Sequence, residues 1–422
     1  MQLAQVSYVG FKNLATSREY AFRVTQVDGT SNDFMFAVSN DAFLTHHVRY
    51  QDAAEICFLK LQRAVIASEP GLPAAWYSAP EHYQRELEAF WYSKWIAVAR
   101  EEEVAAPGDW RVVKIGTQSI VLVKDGKLKA FHNTCRHRGS ILCTEESGNF
   151  PRQRIVCPYH SWTYDLSGKL VATPRRMGTA DFDLKDFPLY EVATRTWGGF
   201  VFVCLEKKPP PFEAPARFAR YGFDKLRIGK RIVADVQANW KLLAENFSEC
   251  FHCPPVHPEL CRVVTAYQEA GAWGLRNKKE EKSEYRRGAT TLTLDGCSRL
   301  EPFAGLNDEE RQVLYVPEMV LPNLFLNIQP DYVNAHLMFP TGPASVRIVY
   351  DWLFEPRHLP LPGDDLAHYV ALWDVTNRQD ARNCEWQQEG MRSREFRHGH
   401  YVPQEFDCHR FAQWVRRGLG EG

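Results

Sequence analysis

Two short segments of the chain carry one cysteine and one histidine each: Cys135-Arg-His137 and, after nineteen intervening residues, Cys157-Pro-Tyr-His160. Donors divided in this way suit a cluster of two chemically different irons, one held by two thiolates and the other by two neutral imidazoles. Each segment then gives one donor to each iron. A zinc site is the competing reading, although a zinc finger pairs Cys with Cys and His with His, whereas here each pair is mixed. Exchanging two thiolates for imidazoles raises the potential of such a cluster to roughly −150 to +300 mV, so that it accepts electrons from a flavin or a ferredoxin. Pro158 fixes a backbone angle beside it, and compact loops of this kind aim their remaining N–H groups at the sulfurs.

A second constellation lies in the run Asn239-Trp-Lys-Leu-Leu-Ala-Glu-Asn-Phe-Ser-Glu-Cys-Phe-His252-Cys-Pro-Pro-Val-His257-Pro258. Two imidazoles and one carboxylate bound on one side of Fe(II) leave three positions open, where dioxygen and a substrate meet the metal. His252 and His257 are five residues apart, roughly 140° around a straight helix. Pro254 and Pro255 are therefore expected to end the helix after His252, so that His257 reaches the same metal from a loop. Glu249, three residues before His252, is expected on the same helix face. The ligating carboxylate has to come from elsewhere in the chain.

With these residues in view, the chain resembles a known family. Cys135-Arg-His-Arg-Gly139 and Cys157-Pro-Tyr-His-Ser-Trp162 match the two cluster loops of Rieske proteins. The series NWKxxxEN, Glu249 and HxxxxHP resembles the mononuclear-iron motif of Rieske non-haem iron oxygenase large subunits, over about residues 80 to 420. The resemblance implies a [2Fe-2S] Rieske cluster on Cys135, His137, Cys157 and His160, and a mononuclear non-haem Fe(II) on His252, His257 and a late Asp. Asp380 in Arg378-Gln-Asp-Ala-Arg-Asn-Cys-Glu-Trp-Gln-Gln388 is the best match, with Glu385 the fallback. Asp380, Cys384 and Gln387 or Gln388 share one helix face by three-and-four spacing, though exposed charges are the bland alternative. Asn246 matches the family's near-iron Asn.

By the same resemblance Glu249 is an electron bridge in a head-to-tail homotrimer or a pair of trimers, where one subunit's cluster faces its neighbour's iron; a structural carboxylate is the alternative role. Most aromatic-ring enzymes of the family have Asp there. Glu resembles the subfamily acting on quaternary ammonium compounds, among them glycine betaine, choline, carnitine and stachydrine. The implied activity is O2-dependent hydroxylation of a C–H bond, with N-demethylation favoured, fed by a separate NAD(P)H-dependent flavin reductase. An aromatic-ring hydroxylating oxygenase and a non-catalytic Rieske electron carrier are the other readings. A cationic head group favours aromatic faces; Tyr267, Trp273, Phe325 and Tyr332 are of the right type, with core packing the alternative for each.

Composition bounds the rest. The 422 residues are 45% hydrophobic with net charge −1, which suits a globular chain of two or three domains and gives no sign of a nucleic-acid or membrane partner. Eleven Cys without secretory spacing and an N-terminus MQLAQVSYVGFK without a basic region or long apolar core point to a reducing cytoplasm. No apolar run reaches the roughly 18 to 20 residues of a membrane span. Neither a Walker motif nor a strand-GxGxxG-helix unit is visible, so electrons arrive from another protein. Cys143, Cys250 and Cys253 lie near the donor motifs and read as packing residues, and His46-His47 as a solvated turn.

The elements that must position these donors fall in three stretches, together an α+β multidomain fold. Residues 1–70 read as an appended small α+β module: extended runs Glu19 to Val27 and Phe34 to Val38, then a helix from Gln51 to Ile66, with a break at Gly71-Leu-Pro73. Residues 75–210 read as a leading helix, Pro80 to Trp95, and a small all-β Rieske domain with strands at Trp110–Ile115, Ser119–Val123, Lys127–Phe131, Trp162–Leu166, Lys169–Val171 and Phe200–Leu205. The run Lys207-Lys-Pro-Pro-Pro-Phe212 marks a boundary. Residues 212–422 then read as an α+β catalytic domain: a helix around Trp240 to Phe251, strands at Val320–Ile328, Ala335–Phe339 and Val346–Phe354 in an antiparallel sheet, and a helical cover from Leu366 to Arg394.

Overall fold

The computed structural model describes residues 5–25, 31–40, 42, 53, 57, 70–174, 182–269, 284–402 and 405–421. His46-His47, Trp273 and most of the helix expected over 51–66 lie outside these residues. The chain divides into two compact units, one formed by Met1–Ser78, Lys241–Arg287 and Arg378–Gly422, the other by Ala79–Trp240 and Gly288–Asn377.

In the second unit a seven-stranded antiparallel sheet runs in the order β4 (Ile96–Arg100), β13 (Phe200–Cys204), β12 (Glu191–Trp197), β7 (Lys127–His132), β6 (Gln118–Asp125), β5 (Asp109–Ile115) and β8 (Ser147–Asn149). A three-stranded sheet of β11 (Leu170–Ala172), β10 (Thr163–Asp165) and β9 (Arg154–Val156) accompanies it. The turn between β5 and β6 uses Gly116 at φ 55°, and the register pairs Ile115 with Gln118 and Trp110 with Val123. Strand β6 was legible as a β-branched run, and β7 as a short alternating run after the turn at Asp125-Gly126. The strands β4, β12 and β9 were not anticipated.

The five-stranded antiparallel sheet of the same unit has the order β14 (Arg227–Val236), β18 (Ser345–Phe354), β17 (Val333–Gly342), β16 (Leu324–Ile328) and β15 (Val316–Val320). Where one strand was expected over Val320–Ile328, a turn at 321–323 makes two. Period-two alternation sends Val333, Ala335 and Leu337 to one face, beside Leu324, Leu326, Ile328 and Leu353, and these pack on Ala97, Phe200, Phe202, Phe218 and Phe223. Each fully buried Phe or Leu there contributes about 1.5–3 kcal/mol. Asn323 pins the arrangement, accepting from the Ala97 N–H at 2.9 Å and donating to its carbonyl at 2.8 Å. The prolines of 209–211 break regular structure, as read, but Phe212 packs on Trp95 and Phe202, so one core runs across that break.

Helix α1 (Pro80–Glu86), with Pro at its first turn, continues as a wider turn over Leu87–Tyr92 that buries Leu87, Phe90 and Trp91. Helix α2 spans Trp240–Phe247, and α3 (Cys253–Val256) and α4 (Pro258–Val263) follow as short turns. The 28-residue helix α5 (Gly363–Gly390) replaces the expected Leu366–Arg394. Helix α6 (Phe406–Gly418), not anticipated, buries Cys408, Phe411, Ala412 and Val415. The N-terminal stretch of the first unit is a three-stranded antiparallel sheet, β1 (Gln5–Asn13), β2 (Ser17–Thr25) and β3 (Ser31–Ser39), with Tyr20 and Phe22 buried. Among the described residues no helix is long and apolar enough to cross a membrane.

Candidate redox centre and active site

The two Cys-His segments are built alike. In the first, the Cys135 N–H donates to the Ser140 carbonyl at 2.8 Å and the Gly139 N–H returns to the Cys135 carbonyl at 3.0 Å; in the second, Cys157 N–H donates to Trp162 and Ser161 N–H to Cys157, at 2.8 and 3.0 Å. Both turns need a positive φ at their fifth residue, 72° at Gly139 and 56° at Ser161. Glycine adopts this freely, and a serine there is held by the surrounding turn. The result presents two buried sulfurs below and two half-exposed imidazoles above.

The rings of His137 and His160 lie 4.7 Å apart, and Trp162 stacks on His137 at 4.9 Å. Burial, with the nearby His160 and Arg138, lowers the pKa of His137. Burial pushes the Cys135 thiol up, opposed by hydrogen bonds from Tyr164 and from the His137 N–H. Tyr164 accepts from the Arg136 N–H at 3.1 Å, and its hydroxyl lies 3.4 Å from Cys135 Sγ, to which it is the donor once that sulfur is a thiolate. Among the described residues His160 Nδ1 is buried with no hydrogen-bond partner. Such an orphan costs about 1–3 kcal/mol, and ligation to iron removes it. The donor set fits a [2Fe-2S] cluster with two His on one iron.

The second donor set lies wholly in the first unit. Helix α2 ends at Phe247, earlier than expected, so Glu249 sits in the loop before His252 and not on a shared helix face. Pro254 and Pro255 begin the turn α3 where they were expected to end a helix, because the missing N–H of proline costs nothing in a first turn. His252 and His257 bracket that turn and bring Nε2 to Nε2 at 3.1 Å. Asp380, on α5, places Oδ1 2.8 Å from His257 Nε2 and 3.4 Å from His252 Nε2. Three donor atoms at these separations fit one metal with bonds of about 2.1 Å. Glu385, five residues on, projects roughly 140° away around the helix. Cys384 and Gln388 are buried and Asp380 is half-buried, whereas Gln387 is exposed.

Both imidazoles are oriented from behind. Glu249 Oε1 lies 2.5 Å from His252 Nδ1, and its other oxygen accepts from the backbone N–H groups of Phe251 and His252. Gln379 Oε1 lies 2.8 Å from His257 Nδ1, and Gln379 Nε2 donates to Glu259 at 3.1 Å. With both Nδ1 atoms engaged, both Nε2 atoms are free for a metal. Burial opposes charging of His252, but Asp380 and Glu249 outweigh it and raise its pKa to about 10. Burial likewise works against Asp380 ionising, yet His252 and His257 hold its carboxyl well below the usual range. Asn246 Nδ2 stands 3.4 Å from His252 Nε2, on the metal side of the ring. Gln379 adjoins Asp380 in sequence, the one signal by which it was findable.

Three further expectations meet the structure here. Cys143 is buried and its thiol pushed up to about 12 by burial, as a packing residue should be. Cys250 and Cys253 are not merely packing residues: they form a disulfide with Cα atoms 5.0 Å apart. Their CxxC spacing, which closes a single turn, was the signal. Tyr332 is engaged in the core, its hydroxyl donating to the Leu292 carbonyl and accepting from Trp373, while Tyr267 and Phe325 are buried.

Comparison with known proteins gives the chain its family. Residues 94–188 match the Rieske [2Fe-2S] domain and residues 223–421 the catalytic domain of the ring hydroxylating alpha subunit. The glycine betaine monooxygenase oxygenase subunit of Chromohalobacter salexigens is 30% identical over 380 residues, 81% of this chain and 84% of that protein. The carnitine monooxygenase oxygenase subunit of Acinetobacter baumannii is 27% identical over 344 residues, covering 77% and 86%. Among solved structures, a quaternary ammonium Rieske monooxygenase in complex with L-carnitine superposes with TM-score 0.66 at 22% identity, covering 85% of this chain and 97% of that one. Naphthalene 1,2-dioxygenase from Rhodococcus sp. gives 0.61 at 19%, covering 86% and 98%. These structural likenesses show the shared fold, a Rieske domain joined to an α+β catalytic domain. The sequence relationship goes further: the chain belongs to the Rieske non-haem iron oxygenase alpha subunits, enzymes that carry a [2Fe-2S] Rieske cluster and a mononuclear non-haem iron and act with O2, a substrate and a separate reductase.

Proposed function

We propose that the chain is the terminal oxygenase of a system that N-demethylates a quaternary ammonium or betaine-type compound. The observation that carries this reading is Glu249: a glutamate, where most aromatic-ring enzymes of the family have aspartate, hydrogen-bonded to His252 Nδ1. Relatives named for glycine betaine, choline and carnitine support the same substrate class.

In this account Cys135, His137, Cys157 and His160 hold the cluster, and His252, His257 and Asp380 hold Fe(II). The bound iron supplies reductive activation of dioxygen at positions left open by three protein donors. Glu249 does two things. It fixes His252 with Nε2 toward the metal, and its carboxylate couples that imidazole to the cluster of a neighbouring subunit in a head-to-tail homotrimer or pair of trimers. Gln379, backed by Glu259, fixes His257 in the same way, and Asn246 offers an amide beside the reacting positions. Per turnover one O2, two electrons and two protons convert an N–CH3 group to N–CH2OH and water. The hydroxymethylammonium then releases formaldehyde, a proton and the demethylated amine.

The electrons come from an NAD(P)H-dependent flavin reductase, and the system is cytoplasmic. The functional division is 75–210 for the cluster and 212–422 for the mononuclear iron, with 1–70 appended. The test is reductase- and NADH-dependent formaldehyde release with glycine betaine, carnitine, choline and stachydrine, set against benzoate-type aromatics. Formaldehyde from one cation, coupled to O2 uptake, supports the reading. Aromatic hydroxylation without formaldehyde overturns it in favour of a ring hydroxylase.

A further inference from the structure

The Cys250–Cys253 pair encloses His252, and its inner sulfur faces the metal donors. Cys253 is 2% exposed, and its Sγ lies 4.0 Å from His252 Nε2. The ligand atoms of His252, Cys253 and His257 all fall within 4.8 Å of one another. A nitrogen and a sulfur on one metal, with bonds of about 2.1 and 2.3 Å, are at most about 4.4 Å apart, so Cys253 Sγ already stands within reach of an ion held by His252. In the structure that sulfur is bonded to Cys250, which is half-buried on the outer side of the loop.

We propose that Cys253 is a conditional metal donor, switched by its disulfide with Cys250, and that this pair governs which metal the mononuclear site accepts. As the disulfide, the sulfur is spent in a covalent bond and is no thiolate ligand, and the site offers two imidazoles and a carboxylate, a set suited to Fe(II). As the dithiol, Cys253 adds a soft thiolate to two imidazoles, a set that favours Zn(II). The couple balances with a peroxide as oxidant: two thiols give up two protons and two electrons to form the S–S bond, and hydrogen peroxide takes them up as two molecules of water. A thiol or phosphine reductant reverses it by attack on the more accessible Cys250 sulfur, releasing the Cys253 thiolate.

The test uses the full chain with its Rieske cluster in place, the mononuclear site cleared and refilled with Co(II) after phosphine reduction or peroxide treatment. Expected are a thiolate-to-cobalt charge-transfer band in the difference spectrum of the reduced protein only, two more titratable thiols in that form, a constant band in Cys250→Ser, and no band in either state of Cys253→Ser. In equimolar competition the zinc-to-iron ratio measured by mass spectrometry rises at least about tenfold on reduction, the low end of what one altered neighbour does to metal affinity. Cys253→Ser loses that dependence. Far-UV circular dichroism matched to wild type reports that each variant is folded; should Cys250→Ser not fold, the reduced wild type carries the test. Stoichiometric cobalt without a thiolate band in the reduced protein overturns the proposal, as does a thiol titre that peroxide leaves unchanged.

Discussion

Replacing Tyr164 by Phe removes one hydrogen bond to the cluster and, with it, the acceptor of the Arg136 N–H. The hydroxyl is fully buried, receives the Arg136 N–H at 3.1 Å and lies 3.4 Å from Cys135 Sγ, to which it is the donor once that sulfur is a thiolate. Hydrogen bonds to sulfur stabilise the reduced cluster, because the added electron raises the negative charge on the acceptor. A hydrogen bond to a charged acceptor is worth about 1.5–3 kcal/mol. If between a third and a half of that is the gain on reduction, the difference is about 0.5–1.5 kcal/mol, or roughly 20–65 mV at 59 mV per factor of ten for one electron. Tyr164→Phe is therefore expected to lower the midpoint potential by that amount in a spectroelectrochemical titration. It should also lower stability by about 1–3 kcal/mol, since the Arg136 N–H loses its buried acceptor. A potential that is unchanged or higher, with the cluster fully incorporated, would refute the reasoning.

Gln379→Ala releases His257 Nδ1 and should weaken iron binding at the mononuclear site by about 10- to 100-fold, read by metal titration with the cluster spectrum unchanged. Asp380→Asn should lose that iron and all oxygenase turnover while keeping a reducible cluster. Glu249→Gln should retain iron but slow product formation in a single turnover from pre-reduced protein. Glu245 is half-buried, receives Tyr77 and Tyr401 hydroxyls at 2.7 and 3.2 Å, and is raised by burial from 4.5 to about 7. The folded state therefore binds the extra proton, so this group's contribution is complete below about pH 4.5 and is lost as pH rises through 7. That rise corresponds to about 3 kcal/mol, and Glu245→Gln should gain that much over wild type in urea unfolding between pH 4.5 and 8. An equal stability difference at both pH values would show that Glu245 does not carry the proton.

The donors themselves were legible because metal chemistry restricts residue type and spacing, and Cys135, His137, Cys157 and His160 are close in sequence. Asp380, 123 residues beyond His257, is brought to its partners only by folding, and spacing alone left Glu385 in contention. Local propensity failed where tertiary packing decides. The loop at Ser248–His252 was read as helix because its pattern continues α2, but Glu249 caps the Phe251 and His252 N–H groups and ends the helix early. Helix α6 had a visible signal in the spacing of Cys408, Phe411, Ala412 and Val415, which the reading did not use. Strand β9 has only three residues, too few for its alternation to be read, and β4 is buried on both faces and shows none. Tyr164 had no signal at all, since a tyrosine in a strand is most often packing.

The account stands on two iron centres in one chain, and metal analysis of anaerobically reconstituted protein tests that most directly. It predicts about three iron atoms to two acid-labile sulfides per chain, falling to about two and two in Asp380→Asn with the cluster spectrum intact. Equal iron and sulfide in the wild type under saturating Fe(II) would contradict it, leaving an electron carrier whose His252, His257 and Asp380 hold no iron.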